Sequence, residues 1–303
     1  MYTPRIRLLK LASVALATAL ATLGAGTAAH AEYFYGLTSG NRIVTFDSTT
    51  PGVIKSSGAI SGLAAGDTLL GLDLRPANRT LYSVGSSGRL YSIAGNGNGY
   101  VATTIGSIPQ ARTGTNFGLD FNPTVDRLRL VSDANINLRI NPGNPGGSLT
   151  DTNLTLNGSP RIDLLGVAYT NSRPGAKTTT LYGLDAISNG LVRATNANAG
   201  TYTTTSLTGA IFGGLGVDLD NSESVDFDIS GGSGRGFFQV ANAFYSVNLA
   251  SGAGSFIGTI GEAGIIGLTS GAVPEPQMWA MLIVGFGLVG VTMRRRKPAA
   301  ATA

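Results

Sequence analysis

The chain runs to 303 residues with no cysteine, one histidine at position 30, and 21 Lys and Arg against 17 Asp and Glu, a formal net charge of +4. Without Cys, or His beyond residue 30, disulfides, redox dithiols, His or Cys zinc sites and Ser-His or Cys-His relays are excluded from the rest of the chain. The basic balance is an end effect: setting aside Arg5, Arg7, Lys10, Arg294, Arg295, Arg296 and Lys297 leaves residues 32–276 with 14 cations and 17 anions, and no basic patch interleaved with aromatics points to nucleic acid.

Residues 1–31 have three zones: a cationic start, an apolar run over residues 11–26, and the small-residue stretch Ala28-Ala29-His30-Ala31. That layout predicts a signal peptide forming a short helix, cleaved after Ala31, with Ala29 and Ala31 as the small residues of the signal-peptidase site. The alternative, an N-terminal membrane anchor, needs about 20 apolar residues, more than this run supplies.

Residues 32–270 are rich in Gly, Thr, Ser, Asn and Leu, in short alternating runs separated by turn residues, the pattern of an all-β domain. Similar starts recur at Gly71-Leu72-Asp73, Gly118-Leu119-Asp120, Gly166-Val167-Ala168 and Gly216-Val217-Asp218, each followed by further strand signals. A last start, Gly267-Leu268-Thr269, has no strands after it, whereas residues 34–60 carry strands without a start. The period of roughly 45 to 50 residues lies within the range of β-propeller repeats. Pairing the last strand with the first group would close the ring and remove its edges. The sequence thus predicts a β-propeller of five four-stranded blades, in which Asp73, Asp120 and Asp218 satisfy backbone amides and the Leu-Tyr pairs pack between blades.

Residues 64–93, above all Gly66-Asp67-Thr68-Leu69-Leu70-Gly71-Leu72-Asp73-Leu74-Arg75-Pro76, and the stretch from Gly118-Leu119-Asp120-Phe121-Asn122-Pro123 to Arg127-Leu128-Arg129-Leu130-Val131-Ser132, resemble the domain of unknown function 4394 family. The resemblance covers nearly all of residues 32–270 and implies a secreted repeat domain without an assigned activity.

Two segments carry candidate chemistry. The second unit gathers Asp120, Asp126, Arg127, Arg129, Asp133, Asn137, Arg139 and Asn141 where its siblings place Leu, Tyr or Ser. Strand alternation puts Arg127, Arg129 and Val131 on one face and Leu128 and Leu130 on the other. Arginines held by carboxylates would bind an anionic or sugar ligand through planar multi-donor contacts; the alternative is an internal network that locks adjacent blades. The acidic stretch at residues 218–228 offers oxygen ligands to a hard cation such as calcium, but it lacks the EF-hand glycine and has Ile229 in place of the closing Glu. It reads as a solvated turn, and no cofactor is otherwise expected.

The C-terminal segment begins Val273-Pro274-Glu275-Pro276, continues uncharged over residues 277–293 with Trp279 near its start, and ends in Arg294-Arg295-Arg296-Lys297. The apolar run predicts a stop-transfer helix with its cationic cluster in the cytoplasm. The prolines keep the strip before it extended. These three features in order resemble the PEP-CTERM sorting signal. The resemblance implies recognition by an exosortase through Pro274, Glu275, Pro276, Arg294, Arg295 and Arg296, and cleavage at or near the Pro-Glu-Pro. The alternative is a plain anchor without processing.

The expected organisation is therefore a signal peptide at 1–31, a propeller at 32–270 and a sorting segment at 271–303. The expected partners are signal peptidase and exosortase, the inner membrane before cleavage, and an exopolysaccharide or a surface protein afterwards. Two function classes remain: a non-catalytic glycan- or protein-binding surface or matrix protein, and a carboxylate-dependent glycan hydrolase or lyase.

Overall fold

The computed structural model describes residues 31–110, 112–205, 214–271 and 286. The signal peptide apart from Ala31, the Pro-Glu-Pro strip, the stop-transfer run apart from Phe286, and the Arg cluster lie outside the described residues. Among the described residues no helix is long and apolar enough to cross a membrane.

The described residues of 32–271 are all-β apart from a single 3-10 turn at Pro145–Gly147. In chain order the strands are β1 (Tyr33–Thr38), β2 (Arg42–Asp47) and β3 (Ser56–Ser61); β4 (Asp73–Arg75), β5 (Thr80–Val84), β6 (Arg89–Gly95) and β7 (Tyr100–Ser107). They continue as β8 (Phe117–Asn122), β9 (Arg127–Ser132), β10 (Asn137–Ile140) and β11 (Leu149–Thr150); β12 (Thr155–Leu156), β13 (Leu164–Tyr169), β14 (Leu181–Asp185), β15 (Gly190–Asn196) and β16 (Thr201–Thr204). The last are β17 (Val225–Ile229), β18 (Gly236–Val240), β19 (Ala243–Val247), β20 (Gly254–Thr259) and β21 (Ile265–Gly271).

Turn chemistry sets the hairpins. Between β4 and β5, and again between β8 and β9, a proline (Pro76, Pro123) opens a turn that ends on a residue with positive φ, Arg79 at 56° and Asp126 at 53°. In both turns that residue's N–H closes a backbone bond, to Arg75 O at 2.8 Å and Asn122 O at 2.9 Å. An Asp tolerates this conformation because its short polar side chain bonds locally. The turn therefore also aims the Asp126 carboxylate.

Four antiparallel meanders follow one another: β4 to β7, β8 to β11, β13 to β16 and β17 to β20. A fifth is assembled from both ends of the domain, in the order β21-β1-β2-β3. In it Phe34 stands opposite Phe46 on one side and Ser270 on the other. Two details are tertiary additions: β3 touches β7 in parallel (Ile60 opposite Tyr100), and β12 adds a short parallel edge to β16.

Each meander buries both faces. Leu81 and Tyr91 pack toward β1 and β2, while Tyr82 and Leu90 pack toward β8, β9 and β10. The recurrent Leu-Tyr pairs thus divide between two cores, as expected from strand alternation. Val131 faces the β13 to β16 group, which in turn packs Leu165, Leu184 and Leu191 against Val225, Phe227 and Phe238. The last core joins Phe237 and Phe244 to Phe34, Phe46, Ile265 and Leu268. The first strands of the meanders also touch in succession: β4 meets β8, β8 meets β13, β13 meets β17, β17 meets β21, and β21 meets β4.

The register at these first strands corrects one expectation. A Cβ on Gly71 would meet Leu119 Cβ at 3.2 Å, on Gly118 Val167 N at 2.7 Å, on Gly166 Phe227 N at 2.9 Å, and on Gly267 Leu72 N at 3.0 Å. The residue facing Gly166 is therefore in β17, and the fourth start is Asp226-Phe227-Asp228, not Gly216-Val217-Asp218. Asp218 is exposed in an irregular segment and accepts a bond from Asn189 Nδ2 at 2.6 Å. Only residues 218–224 of the acidic stretch form the expected loop, because Val225, Phe227 and Ile229 alternate into the core and carry Asp226 and Asp228 inside with them.

Candidate functional site

Two polar constellations emerge. The first lies where the starting strands converge. The third residues of the five starts are Asp73, Asp120, Ala168, Asp228 and Thr269. Where this residue carries an oxygen, that oxygen takes the N–H that follows the corresponding residue in the next meander. Thr269 Oγ1 accepts from Leu74 N at 3.2 Å, Asp73 Oδ2 from Phe121 N at 2.7 Å, and Asp228 Oδ2 from Ser270 N at 2.5 Å. The Tyr169 N–H acts on Asp120 from the same relative place, partly offsetting the effect of its burial. Of the acids expected to satisfy backbone amides, Asp73 takes its own Leu74 N–H as well as the neighbouring meander's Phe121 N–H, whereas Asp218 takes a side-chain bond from Asn189. Asp226, in the place of the glycines, reaches Leu268 N at 2.7 Å.

Asp73, Asp120 and Asp228 are 2 %, 1 % and 3 % exposed, and Asp226 is fully buried. One oxygen each from Asp73, Asp120 and Asp228 lies within 4.8 Å of those of the other two. Burial raises all four pKa values above the usual carboxylate range, Asp120 and Asp226 well above it. Mutual repulsion adds to this: the Asp228 charge acts on Asp73, and those of Asp73 and Asp228 act on Asp120. Among the described residues no ion pair involves any of the four. The Oδ1 atoms of Asp120 and Asp226 are buried without a protein hydrogen-bond partner.

The second constellation sits on the β8 to β11 and β13 to β16 groups. Asn122, Arg127, Arg129, Arg139, Tyr169 and Asn198 line a cavity of about 290 Å³. Asn122 and Tyr169 also line its neighbour of about 480 Å³, which adds Thr179, Thr180, Arg193 and Thr195. Arg129, 2 % exposed, is fixed from several sides: Nε to Tyr169 Oη at 2.9 Å, Nη1 to Asn137 and to Asp151 at 3.1 Å, and Nη2 to Asn198 Oδ1 at 2.8 Å. Asp151 also receives Arg139 Nη2 at 2.9 Å. Arg139 Nε stays buried without a partner. Arg127 uses Nη1 on its own turn, at Asp126 O (3.0 Å) and Val125 O (3.3 Å), and Arg193 makes no hydrogen bond or ion pair among the described residues.

The residues grouped from sequence are thus distributed over several places. Arg127, Arg129 and Arg139 share the groove. Asp120 belongs with the buried acids. Asp126 pairs with Arg75 through two bonds, that to Nε being 2.8 Å. Asp133 orders a loop by accepting from Thr115 N (2.9 Å), Thr115 Oγ1 (2.5 Å) and Asn116 N (3.3 Å). Asp151, Tyr169 and Asn198 were not foreseen, because they arrive from outside the Arg-rich segment. Asp226 and Asp228 were foreseen only as parts of a turn. The alternation Val-Asp-Phe-Asp-Ile is the signal that would have placed them in a buried strand.

The family described as "Domain of unknown function (DUF4394)" matches residues 42–269, and the PEP-CTERM protein-sorting motif matches residues 272–297. The motif implies an exported protein processed by an exosortase. No curated protein matches the sequence. Among solved structures, a glutaminyl cyclase from Myxococcus xanthus is 12 % identical, with a TM-score of 0.40 over 70 % of this chain and 90 % of that one. The dihydro-heme d1 dehydrogenase NirN in complex with DHE gives 13 % and 0.36 over 81 % of this chain and 48 % of that one. A structural genomics protein of unknown function from Bacteroides thetaiotaomicron VPI-5482 gives 13 % and 0.40 over 73 % and 56 %. Likenesses this distant carry no functional argument.

Proposed function

Because the chain belongs to the domain of unknown function 4394 family, whose name carries no activity, we propose a function from the site itself: an exosortase-sorted surface or matrix protein that binds an acidic glycan without turning it over. Its parts are a signal peptide at 1–31, a five-bladed propeller at 32–270 and a sorting segment at 271–303. Support for the propeller comes from five meanders that share five cores in cyclic order, with β21 completing the first.

The observation that carries the ligand class is the groove. Arg127, Arg139 and Arg193 bring more donors than the acids around them accept, on a base held rigid by Arg129. Guanidinium forks match the planar carboxylate of a uronic acid, and Asn122, Asn198 and the threonines suit sugar hydroxyls. The buried acids offer a hydrolase or lyase its carboxylates, but at 0–3 % exposure they give a polysaccharide no access.

The test is affinity electrophoresis of the detergent-solubilised full-length protein through polygalacturonate and through its neutral methyl ester. Retardation by the acid polymer alone, weakened by salt and reduced on the order of 10-fold in Arg127→Ala/Arg193→Ala, is the expected result. Equal retardation by both polymers, or an unaffected double variant, would refute it.

A further inference from the structure

We propose that Asp73, Asp120 and Asp228 hold a single hard divalent cation of the calcium class where the five starting strands converge. The site is independent of the arginine groove and distinct from the loop at residues 218–224.

Three negative groups with oxygens mutually within 4.8 Å, all at most 3 % exposed, require a counter-charge or protons. No Lys or Arg of the described residues pairs with them. Their protein contacts are donors from backbone and hydroxyl groups, which leave lone pairs free: a carboxylate has about four acceptor sites, and Asp73 spends three, on Leu74 N, Thr269 Oγ1 and Phe121 N.

The independent observation is the unmet acceptor. Asp120 Oδ1, on a side chain 1 % exposed, has no hydrogen-bond partner, and Asp226 Oδ1 beside the cluster has none either. An ionised oxygen left bare in the interior is costly; a cation among the three carboxylates supplies what it lacks. Dimensions and ligand type agree on the class. Calcium–oxygen distances of about 2.3–2.6 Å place oxygens on opposite sides of the ion roughly 4.6–5.2 Å apart, and the ligands are all oxygen. The chain beyond residue 30 has no Cys or His for a softer metal. Three different meanders contribute one ligand each, so the ion would tie β4, β8 and β17 together.

The experiment uses the full-length protein in detergent, stripped with a chelator and dialysed, with bound metal measured by mass spectrometry and thermal unfolding followed with added calcium, magnesium or neither. The expected result is about one calcium per chain and a melting temperature that calcium raises. Asp120→Asn keeps an oxygen for the Tyr169 N–H and removes a buried charge, so the variant folds, is at least as stable as the stripped wild type, and binds calcium on the order of 10-fold or more weakly. Asp220→Asn, in the exposed loop, leaves the calcium response intact. Three outcomes overturn the proposal: no stoichiometric metal with no calcium response, a calcium response lost in Asp220→Asn but kept in Asp120→Asn, or Asp120→Asn destabilised equally with and without calcium.

Discussion

Asp67, 6 % exposed, takes four hydrogen bonds: from Ser86 Oγ at 2.9 Å and Ser87 N at 2.8 Å on one oxygen, and from Ser87 Oγ at 2.6 Å and Tyr91 Oη at 2.8 Å on the other. Burial alone would raise its pKa, but the bonds from Ser87, Tyr91 and Ser86 outweigh burial and hold it below the usual range. A lowered folded-state pKa stabilises the fold above the unfolded-state value and loses that contribution as pH falls through the folded one. Asp67→Asn should therefore cost roughly 2–3 kcal/mol near neutral pH, and the difference from wild type should shrink as denaturation is measured at progressively lower pH. A gap that stays constant down to pH values below the folded-state pKa would contradict this. The sequence around Asp67 does not disclose this role, since its donors Ser86, Ser87 and Tyr91 lie about twenty residues on and nothing local marks the contact. Arg127 and Arg129, by contrast, were legible as one face because a strand's period of two fixes sides without reference to tertiary structure. What could not be read was where their counter-charges come from: Asp151 for Arg129, and Asp126 turned away to Arg75.

Among the elements, four of the five starts depend on having no side chain at one position, Gly71, Gly118, Gly166 and Gly267. A methyl on Gly118 would sit 2.7 Å from Val167 N and 2.8 Å from Gly166 Cα, against backbone that cannot give way cheaply. Gly118→Ala should lower stability by about 1–3 kcal/mol, read as a shift of the urea midpoint with little change in slope; no shift would mean that β8 and β13 slide apart at little cost. The recurring Gly-Leu-Asp was the clearest structural signal in the sequence, and it was also where it misled. Gly216-Val217-Asp218 copies the motif in a segment that is not a strand, whereas Asp226-Phe227-Asp228 occupies the true place and fills the glycine position with a side chain that bonds to Leu268 N instead of blocking it. Contacts as short as β3 with β7 and β12 with β16 are fixed by how whole meanders lie and leave no pattern in the chain.

For the molecule as a whole, closure rests on β21. It gives β1 a partner along Tyr33–Leu37 and completes the core of Phe34, Phe46, Phe237 and Phe244, all fully buried, each contributing about 1.5–3 kcal/mol by burial with edge-on and stacked ring pairs adding to it. A chain ending at Ala263 should fail to give a protease-resistant core, while one ending at Gly271 should melt like the full-length protein; equal resistance of the two would show that the first and last meanders hold without the strand. The need for such a closure was legible from a start without strands at one end and strands without a start at the other.

The strand that completes the fifth meander is the last to be synthesised before the sorting motif at residues 272–297. The domain therefore has no finished fold to adopt until nearly all of it has been synthesised. The same order makes the C-terminal stretch a check on synthesis: a product broken off early lacks both the piece that completes its fold and the address that sorts it.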